Sequence, residues 1–485
     1  MREVSVSRRK QRVGFKGIIN STDKSLLGWE YSPEAYNFVF RDGLLTGEIG
    51  LDAGRGFRFD RPDSRWDLPA LPEDCEGITK MFHYRRSGGD GFNDRLLVQT
   101  PSGRFYYVTL FLQDDAWHEI EGLTAVYPVT AVNYKYGDKD ILLLSGEDLP
   151  LTMLDDAAAS KIENAPRFTS LTVHGERVFG VCDGARGRVW FSDNMNPTDW
   201  SVSSETGGYI DFADEWGATT RVVSFLSYLY IFREHGIYRL TAYGDQADFV
   251  LKKMFTSAGR IYENTIALCG DRILFLDDEG IKTFDGYDVS CVDVPLPELV
   301  FKQNCKAAYS GDSYFLAALA NIERRYDPDG YFDCNLIVRY DLGEKETVFL
   351  AGYDVRDMTT LRAHGADVVA VASYTKGLRH TLAMTSASGE AYGTPTYKLY
   401  RSPYNTLSYE GIKVVRDVTL TVTEGEIVFR LLADGATVFE HTFVASEEPQ
   451  TVFVGKSGRR IGIEIVSESA AVEVSPPTLN IDFVR

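Results

Sequence analysis

A repeated unit of β-strand, turn and β-strand between Leu171 and Asp288 constrains the fold of this chain most. Three stretches show it: LTVHGERVFGVCDGARGRVWFSDNMNPTDW, VVSFLSYLYIFREHGIYRL and TIALCGDRILFLDDEGIKTFDG. Each stretch joins apolar runs across a polar or glycine turn, which is the pattern of antiparallel hairpins that bury one face. A chain made of successive units of this kind is a β-propeller candidate, because each unit can form one blade of a closed ring.

Similar units precede and follow these three, at a spacing of roughly 40–50 residues that is typical of propeller blades. Aromatic residues make up 13% of the chain and glycine contributes 43 of its 485 residues, a composition that favours twisted, turn-rich sheet. The one short helix that the sequence predicts covers residues 155–161. We therefore predict an all-β fold with a six- or seven-bladed β-propeller over residues 35–385. The predicted blades cover residues 77–120, 127–154, 168–200, 209–253, 262–294 and 304–353, and residues 358–384 complete or close the ring.

The regions outside the predicted propeller have a different character. Residues 406–485 alternate apolar and polar side chains with period two, which predicts a C-terminal antiparallel β-sandwich. Residues 386–405 are rich in Gly, Pro and Tyr and are predicted to link the two domains. At the start of the propeller, residues 35–54 are predicted to form a hairpin that turns at Arg41, Asp42 and Gly43.

Residues 1–34 are predicted to form a basic N-terminal arm on a chain whose net charge is −19. This asymmetry indicates an arm that reaches an acidic neighbour, such as a second copy of the chain. The alternative is a solvated terminus. The candidate subunit-interface residues are Arg8, Arg9, Lys10, Arg12 and Lys16.

The acidic charge of the whole chain argues against a general grip on nucleic acid. One interpretation is an ordinary soluble acidic protein. The other is a surface along which a polyanion passes without sticking, since phosphates are held by Lys and Arg.

No apolar run approaches the ~20 residues that span a bilayer, and the first sixteen residues have no hydrophobic stretch, so we expect synthesis in the cytoplasm and no membrane-spanning segment. The six cysteines show no CxxC spacing and are predicted to be buried free thiols, with two disulfide bridges as the alternative.

Catalytic and cofactor motifs are missing from the sequence. The seven histidines show no metal-binding spacing, and no nucleophile elbow, P-loop or dinucleotide fingerprint occurs. We predict a protein that is not an enzyme and that holds no cofactor. A weak calcium candidate is formed by Asp327, Asp329 and Asp333, which offer hard oxygen ligands in a tight turn. The alternative is a solvated turn, because Tyr331 stands where an EF-hand loop places its third ligand.

The segment DNMNPTDW at residues 193–200 is a long loop with a large apolar cap. We predict that Asn196, Pro197 and Trp200, with Trp190 on the preceding strand, anchor this loop structurally. The alternative is a sugar-stacking site.

Several of these stretches resemble tail and neck proteins of tailed bacteriophages. They are WFSDNMNPTDW followed by GGYIDF, LYIFREHGIYRLTAYG, RILFLDDEGIKTFDG, ILLLSGEDLPLTML and YNFVFRDGLLTGEIGL. The set is similar to the propeller class that includes short-tail nozzle and packaged-DNA stabilisation proteins. The resemblance implies a structural virion protein in the tail or neck, assembled with copies of itself and other tail or neck proteins as a ring. DNA would pass through this ring without sequence-specific binding. The resemblance carries no catalytic residues to this chain.

Two other function classes stay open at this point. A carbohydrate-binding propeller of a phage fibre or cell surface would present aromatic side chains to sugars. A propeller glycoside hydrolase would use paired carboxylates, which chance alone provides among 70 acidic residues.

Overall fold

The computed structural model of the chain is all-β. It describes residues 6–19, 26–57, 65–73, 75, 77–86, 93–110, 114–182, 187–203, 206–328, 330, 332–363, 366–375 and 378–484. The helical elements are short 3-10 turns at Gln246–Asp248, Glu263–Thr265, Lys302–Asn304 and Arg324–Tyr326. No helix in this part of the chain is long and apolar enough to cross a lipid bilayer.

Antiparallel sheets follow one another along the chain from residue 80 to residue 386, and the first five are simple four-stranded meanders. The first sheet contains Lys80–Tyr84, Arg95–Gln99, Arg104–Thr109 and His118–Thr124. The second sheet contains Thr130–Tyr136, Lys139–Ser145, Thr152–Asp155 and Ala158–Lys161. The third sheet contains Ser170–His174, Arg177–Val181, Arg188–Phe191 and Gly208–Asp211. The fourth sheet contains Thr219–Phe225, Tyr228–Arg233, Gly236–Thr241 and Val250–Thr256. The fifth sheet contains Ala267–Cys269, Arg272–Leu276, Ile281–Phe284 and Val289–Cys291.

The next two sheets are larger. The sixth sheet contains Leu299–Val300, Lys306–Ser310, Ser313–Ala320, Leu336–Asp341 and Thr347–Ala351. The seventh sheet contains Asp354–Ala363, Ala366–Thr375, Leu378–Ser386, Gly50–Ala53, Glu390–Ala391 and Thr394–Pro395.

The second strand of each meander is buried on both faces, because a neighbouring sheet packs on each side of it. Arg95–Gln99 and Arg177–Val181 are buried at every position. Such strands read in the sequence as continuous apolar runs instead of an alternation. Tight turns join these strands to the strands before them. In the third sheet the turn consists of Gly175 and Glu176, whose φ angles are positive, 53° and 65°, as two-residue hairpin turns require.

Successive sheets share apolar cores, and the last sheet packs against the first. Val98 and Val108 of the first sheet share a cluster with Leu361, Ala370 and Met384 of the seventh. The first strands of several successive sheets are also in contact with each other, including that of the seventh sheet with that of the first. This arrangement is propeller-like.

The early hairpin is confirmed in its first half. Val39–Arg41 pairs with Leu44–Thr46 across Asp42 and Gly43. Its second strand is shorter than predicted, because the following strand, Gly50–Ala53, leaves the hairpin and pairs with the end of Leu378–Ser386 in the seventh sheet.

Both ends of the chain meet in three terminal sheets. The first contains Val6–Arg12, Thr478–Val484, Lys413–Leu420 and Gln450–Gly458. The second contains Glu34–Tyr36, Lys398–Arg401, Ile461–Ser467, Glu426–Ala433 and Ala436–Val444. The third contains Val39–Arg41, Leu44–Thr46, Glu473–Val474 and Val422–Glu424. The isolated hairpin Arg55–Phe57 and Arg65–Asp67 completes the described strands.

Two sequence predictions about elements are wrong. Residues 155–161 are not a helix: Asp156 turns with a φ of 60°, and Ala158–Lys161 pairs with Thr152–Asp155, so strand pairing outweighs the helix propensity of the alanines. Gly208–Asp211 is the last strand of the third sheet, whereas the sequence placed Tyr209 at the start of the next unit.

Candidate functional site: the channel between the first strands

A channel of about 1070 Å³ runs between the sheets. Residues in or next to the first strand of every sheet, from the first to the seventh, line it; in the sixth sheet this strand is Lys306–Ser310. Because the strands converge there, side chains from distant parts of the sequence face one space. The channel is therefore the candidate functional site of the fold.

The charged side chains that line the channel are more often basic than acidic. The six basic residues are Lys80, Arg85, Arg221, Lys306, Arg356 and Arg362, and the four acidic residues are Glu147, Glu263, Asp333 and Asp357. This balance is opposite in sign to the net charge of −19 on the whole chain. The sequence-based expectation of an acidic surface concerned the path of a polyanion through a ring of subunits, and it stays a prediction.

Two lysines of the channel form ion pairs. Lys80 Nζ lies 3.1 Å from Asp357 Oδ1, and the other oxygen of Asp357 accepts the backbone N–H of Met81 at 2.8 Å. Lys306 Nζ lies 2.5 Å from Asp333 Oδ2. Burial opposes protonation of Lys306, but the neighbouring Cys334 and Asp333 together raise its pKa. The first pair joins the first and seventh sheets, and the second pair lies within the sixth sheet and its loops.

Arg221 on the first strand of the fourth sheet has a different environment. Its Nη1 donates a hydrogen bond to the main-chain oxygen of Glu263 at 2.9 Å. Among the described residues no carboxylate oxygen forms an ion pair with it within 4.0 Å. Burial lowers the pKa of Arg221, although an arginine stays charged in proteins.

Two buried histidines, His83 in the channel wall and His174 next to the wall residue Ser224, were not singled out by sequence reasoning as a site. His83 Nε2 lies 3.1 Å from Asp94 Oδ2, and its Nδ1 accepts the backbone N–H of Arg362 at 3.4 Å. His174 Nδ1 lies 2.9 Å from the hydroxyl of Ser224, and burial lowers its pKa. Their partners lie in other strands, so only the three-dimensional pairing reveals these contacts. The sequence treated His174 as a turn residue, which agrees with its place before Gly175.

The basic residues of the N-terminal arm lie in and beside an edge strand of the first terminal sheet. Val6–Arg12 pairs along its whole length with Thr478–Val484. Arg8 Nε donates to Asp482 Oδ1 at 2.9 Å, and Arg9 lies 4.9 Å above the ring of Phe483. Lys10 and Arg12 are exposed. Lys16 lies 3.6 Å from Glu30.

These contacts place the arm within its own chain. They leave exposed charge along one edge of the sheet, so an additional contact with a neighbouring subunit stays a prediction.

The loop anchors lie where a structural role requires them. Trp200 is 2% exposed, its Nε1 donates to the main-chain oxygen of Pro197 at 3.0 Å, and its ring lies 4.7 Å from that of Phe168. Asn196 Oδ1 accepts both the backbone N–H and the hydroxyl of Thr198. Trp190 is half-buried, and its ring lies 5.1 Å from that of Tyr209 at an interplanar angle of 55°. Since Trp200 is covered by its own chain, it offers no face to a sugar.

The candidate calcium ligands are engaged with protein donors. Asp327 Oδ1 accepts the N–H of Gly330 at 2.9 Å, and Asp333 binds Lys306 and Asn304. Asp329 lies outside the described residues. Within the described chain, no group of three or more metal-ligating side chains comes together.

Comparisons with known proteins identify no family. No family model matches the chain, and no curated protein matches it. Among solved structures, it is similar to the computationally designed Ika8 protein, at 11% identity and a TM-score of 0.41, over 68% of this chain and 99% of that one. It is also similar to BBS1N in complex with ARL6DN, at 11% identity and a TM-score of 0.43, over 67% of this chain and 98% of that one.

Proposed function

We propose that this chain is a structural protein of a bacteriophage tail or neck, without enzymatic activity, that assembles with copies of itself into a ring around the path of DNA. The observation that carries the proposal is the set of β-hairpin segments that resembles phage tail and neck propellers. The succession of sheets with a shared core between the last and the first supports a scaffold role.

Within this proposal the chain is a seven-bladed β-propeller followed by a C-terminal β-sandwich. Each of the seven sheets forms one blade, and Gly50–Ala53 closes the ring as the outer strand of the last blade. The first two terminal sheets form the sandwich, and residues such as Val415, Ile427, Ile463 and Ile481 supply its core.

The volume of the channel indicates whether a DNA duplex would pass inside one chain or between several chains. A duplex with two grooves roughly 8 Å deep is about 20 Å across, and at about 3.4 Å of rise each base pair occupies on the order of 1000 Å³. The channel of about 1070 Å³ has the volume of about one base pair. The DNA path would therefore lie between several chains in the assembled ring, and not inside one chain.

Electron microscopy and native mass spectrometry of the purified protein test the proposal, together with mass spectrometry of purified phage particles. We expect closed rings with a central opening at least about 20 Å wide, as a duplex requires, and the chain among the particle proteins. A protein that stays monomeric at high concentration and is absent from particles would contradict the proposal.

One observation favours carbohydrate binding as a second candidate function. Trp190 and Tyr209 lie opposite each other on the two outer strands of the third sheet, and Arg188 lies 3.5 Å above the ring of Tyr209. Tyr209 is 41% exposed, so its ring can stack on a sugar. A glycan array with wild type, Tyr209→Ala and the exposed control Tyr287→Ala tests this candidate. Binding that is lost only in Tyr209→Ala supports it, and the lack of any glycan signal contradicts it.

A further inference from the structure

The wall of the channel carries an excess of positive charge inside an acidic protein. Most of this charge is compensated locally: Lys80 and Lys306 bind carboxylates within the channel, while Arg356 and Arg362 bind Asp354 and Asp367. Arg85 lies at the end of its strand and is exposed to solvent. Arg221 remains as the half-buried cation of the wall for which the described residues supply no carboxylate.

The hydrogen bonding of Arg221 is also incomplete. A guanidinium group has five N–H donors and no acceptor, and the described contacts of Arg221 use Nη1 for a single bond to the carbonyl of Glu263. A half-buried positive charge without a directly bound carboxylate is costly, because it gives up hydration and forms no ion pair in return. The remaining donors are available to a ligand in the channel.

The charge of Glu263 acts on Arg221 and opposes the lowering of its pKa by burial, but among the described residues no carboxylate oxygen lies within 4.0 Å of the guanidinium group. Thr172, Thr220 and Ser224 also line the channel on the third and fourth sheets, and the hydroxyls of Thr220 and Ser224 are engaged with Phe232 and His174. The acidic group nearest in sequence along the wall is Glu263, whose backbone, not its carboxylate, accepts the bond from Arg221. The planar fork of an arginine matches the oxygens of phosphate and carboxylate groups.

We propose that the channel binds a small molecule with an oxyanion group, a phosphate or a carboxylate, and that Arg221 anchors this group. The channel volume of about 1070 Å³ is near the upper end of small-ligand sites, which measure roughly 300–1000 Å³. This binding activity goes beyond the proposed structural role and is independent of it, since it needs one chain only.

Isothermal titration calorimetry of the full chain tests the proposal, with pyrophosphate and citrate as probes at matched ionic strength. Wild type binds at least one of the two probes, and Arg221→Gln binds it about tenfold or more weakly, because a hydrogen bond to a charged group contributes about 1.5–3 kcal/mol. Pyrophosphate and citrate distinguish a phosphate from a carboxylate ligand.

Arg324→Gln is the matched control. Arg324 also donates to a main-chain carbonyl, that of Pro328 at 3.3 Å, but it is exposed and lies outside the channel lining. We expect its affinity to equal that of wild type. Equal affinities of wild type and Arg221→Gln, or no binding of either probe, would overturn the proposal.

A second measurement does not depend on the folding of a variant. Tungstate, a dense oxyanion, is added to wild-type protein, and its position is determined by crystallography or electron microscopy. Density beside the guanidinium group of Arg221 supports the proposal. Tungstate density found only elsewhere on the molecule, or none at all, overturns it.

Discussion

The first six sheets and the remaining sheets of this molecule are built in different ways. Each of the first six is made from strands that follow one another in the chain, from Lys80–Tyr84 to Thr347–Ala351. The seventh sheet takes Gly50–Ala53 from a segment more than 300 residues away from its partner strand, and the first terminal sheet joins Val6–Arg12 to Thr478–Val484.

This difference concerns both folding and stability. Hairpins between neighbouring strands close short loops, whereas pairing the two ends of the chain closes a very long one, at a higher entropic cost. The structure offsets this cost with buried contacts at the junctions, such as the core shared by the seventh and first sheets. We therefore expect substitutions in the local sheets to act on one sheet pair, and substitutions at the closing strands to act on the whole ring.

The largest expected effect lies in the local part. Trp200→Ala removes a buried indole from the core between the second and third sheets, and such truncations cost about 3–5 kcal/mol of unfolding free energy. Urea unfolding followed by circular dichroism measures the loss. Phe453→Ala, at a side chain that is 73% exposed, is the control outside this core. A loss below about 1 kcal/mol for Trp200→Ala, the range of ordinary surface changes, would contradict an anchoring role.

The next largest loss of stability is expected in Gly50–Ala53, the closing strand of the seventh sheet. A Cβ at Gly50 would overlap the main-chain oxygen of Glu390, so Gly50→Ala forces the closing strand away from its neighbour. We expect a loss of about 3 kcal/mol, at the upper end of the usual cost of overpacking, because backbone cannot yield as a side chain does. Gly137→Ala is the matched control in a local hairpin turn: its φ is 60° and its Cβ meets nothing, so about 1 kcal/mol of strain is expected. Equal losses of unfolding free energy in Gly50→Ala and Gly137→Ala would contradict the expected difference between the closing strand and the local hairpins.

A smaller, pH-dependent effect is expected at Lys398 in the terminal sheets. Its buried ammonium donates to the main-chain oxygens of Gly389, Thr396 and Ser469, and burial lowers its pKa to about 8. In the unfolded chain a lysine keeps its proton up to about pH 10.4. Between about pH 8 and 10 the unfolded state therefore binds more protons, and the free energy of unfolding of wild type rises with pH.

Lys398→Met removes this titrating group and leaves three carbonyls without their donor, so we expect a loss of about 2 kcal/mol at pH 7 and no rise from this group above pH 8. Lys252→Met, at an exposed position, keeps the wild-type dependence. Unfolding free energies of the three proteins at pH 7, 8, 9 and 10 measure both effects. Parallel pH profiles for wild type and Lys398→Met would contradict the lowered pKa.

The same contrast explains how far the sequence predicted the structure. The hairpins at Ser102 and Gly103 and at Gly175 were readable, since a turn residue and two apolar runs stand next to each other. The sequence did not predict which strand Gly50–Ala53 pairs with, because that pairing depends on how the last sheet closes and not on any local pattern. The partner of Arg8 was unreadable for the same reason: Asp482 lies at the other end of the chain.

The candidate site was predictable only in outline. The sequence indicated a propeller, but it did not indicate which residues line the space between the sheets. Net charge says nothing about which residues line a channel: Lys80, Arg221 and Lys306 are half-buried on the first strands and line it in an acidic chain. The pairing register of the strands determines which side chains face the channel and therefore its charge, and a single sequence specifies that register weakly.

The smallest expected effect is a difference in the rates at which the cysteines react. The six cysteines form no disulfide, and five of them are buried while Cys291 is exposed; the prediction of free thiols is confirmed. In the native protein we expect a maleimide to react rapidly at Cys291 only, because burial raises the pKa of Cys182, Cys269, Cys305 and Cys334 to about 12 and the thiolate is the reactive form.

In a Cys291→Ser background, slow labelling then reports local opening of the sheet junctions. Cys75 lies in the core where the seventh sheet meets the first, and Cys182 lies in the core between the second and third sheets. If the long-range closure is the weaker junction, Cys75 reacts several times faster than Cys182 under native conditions, and Gly50→Ala accelerates Cys75 alone. Mass spectrometry of labelled peptides over time measures both rates. Should Cys182 react first, the local junction is the weaker one and the expectation is wrong. Should Gly50→Ala accelerate both thiols equally, the sheets open as one unit and the distinction between local and closing sheets has no consequence for their dynamics.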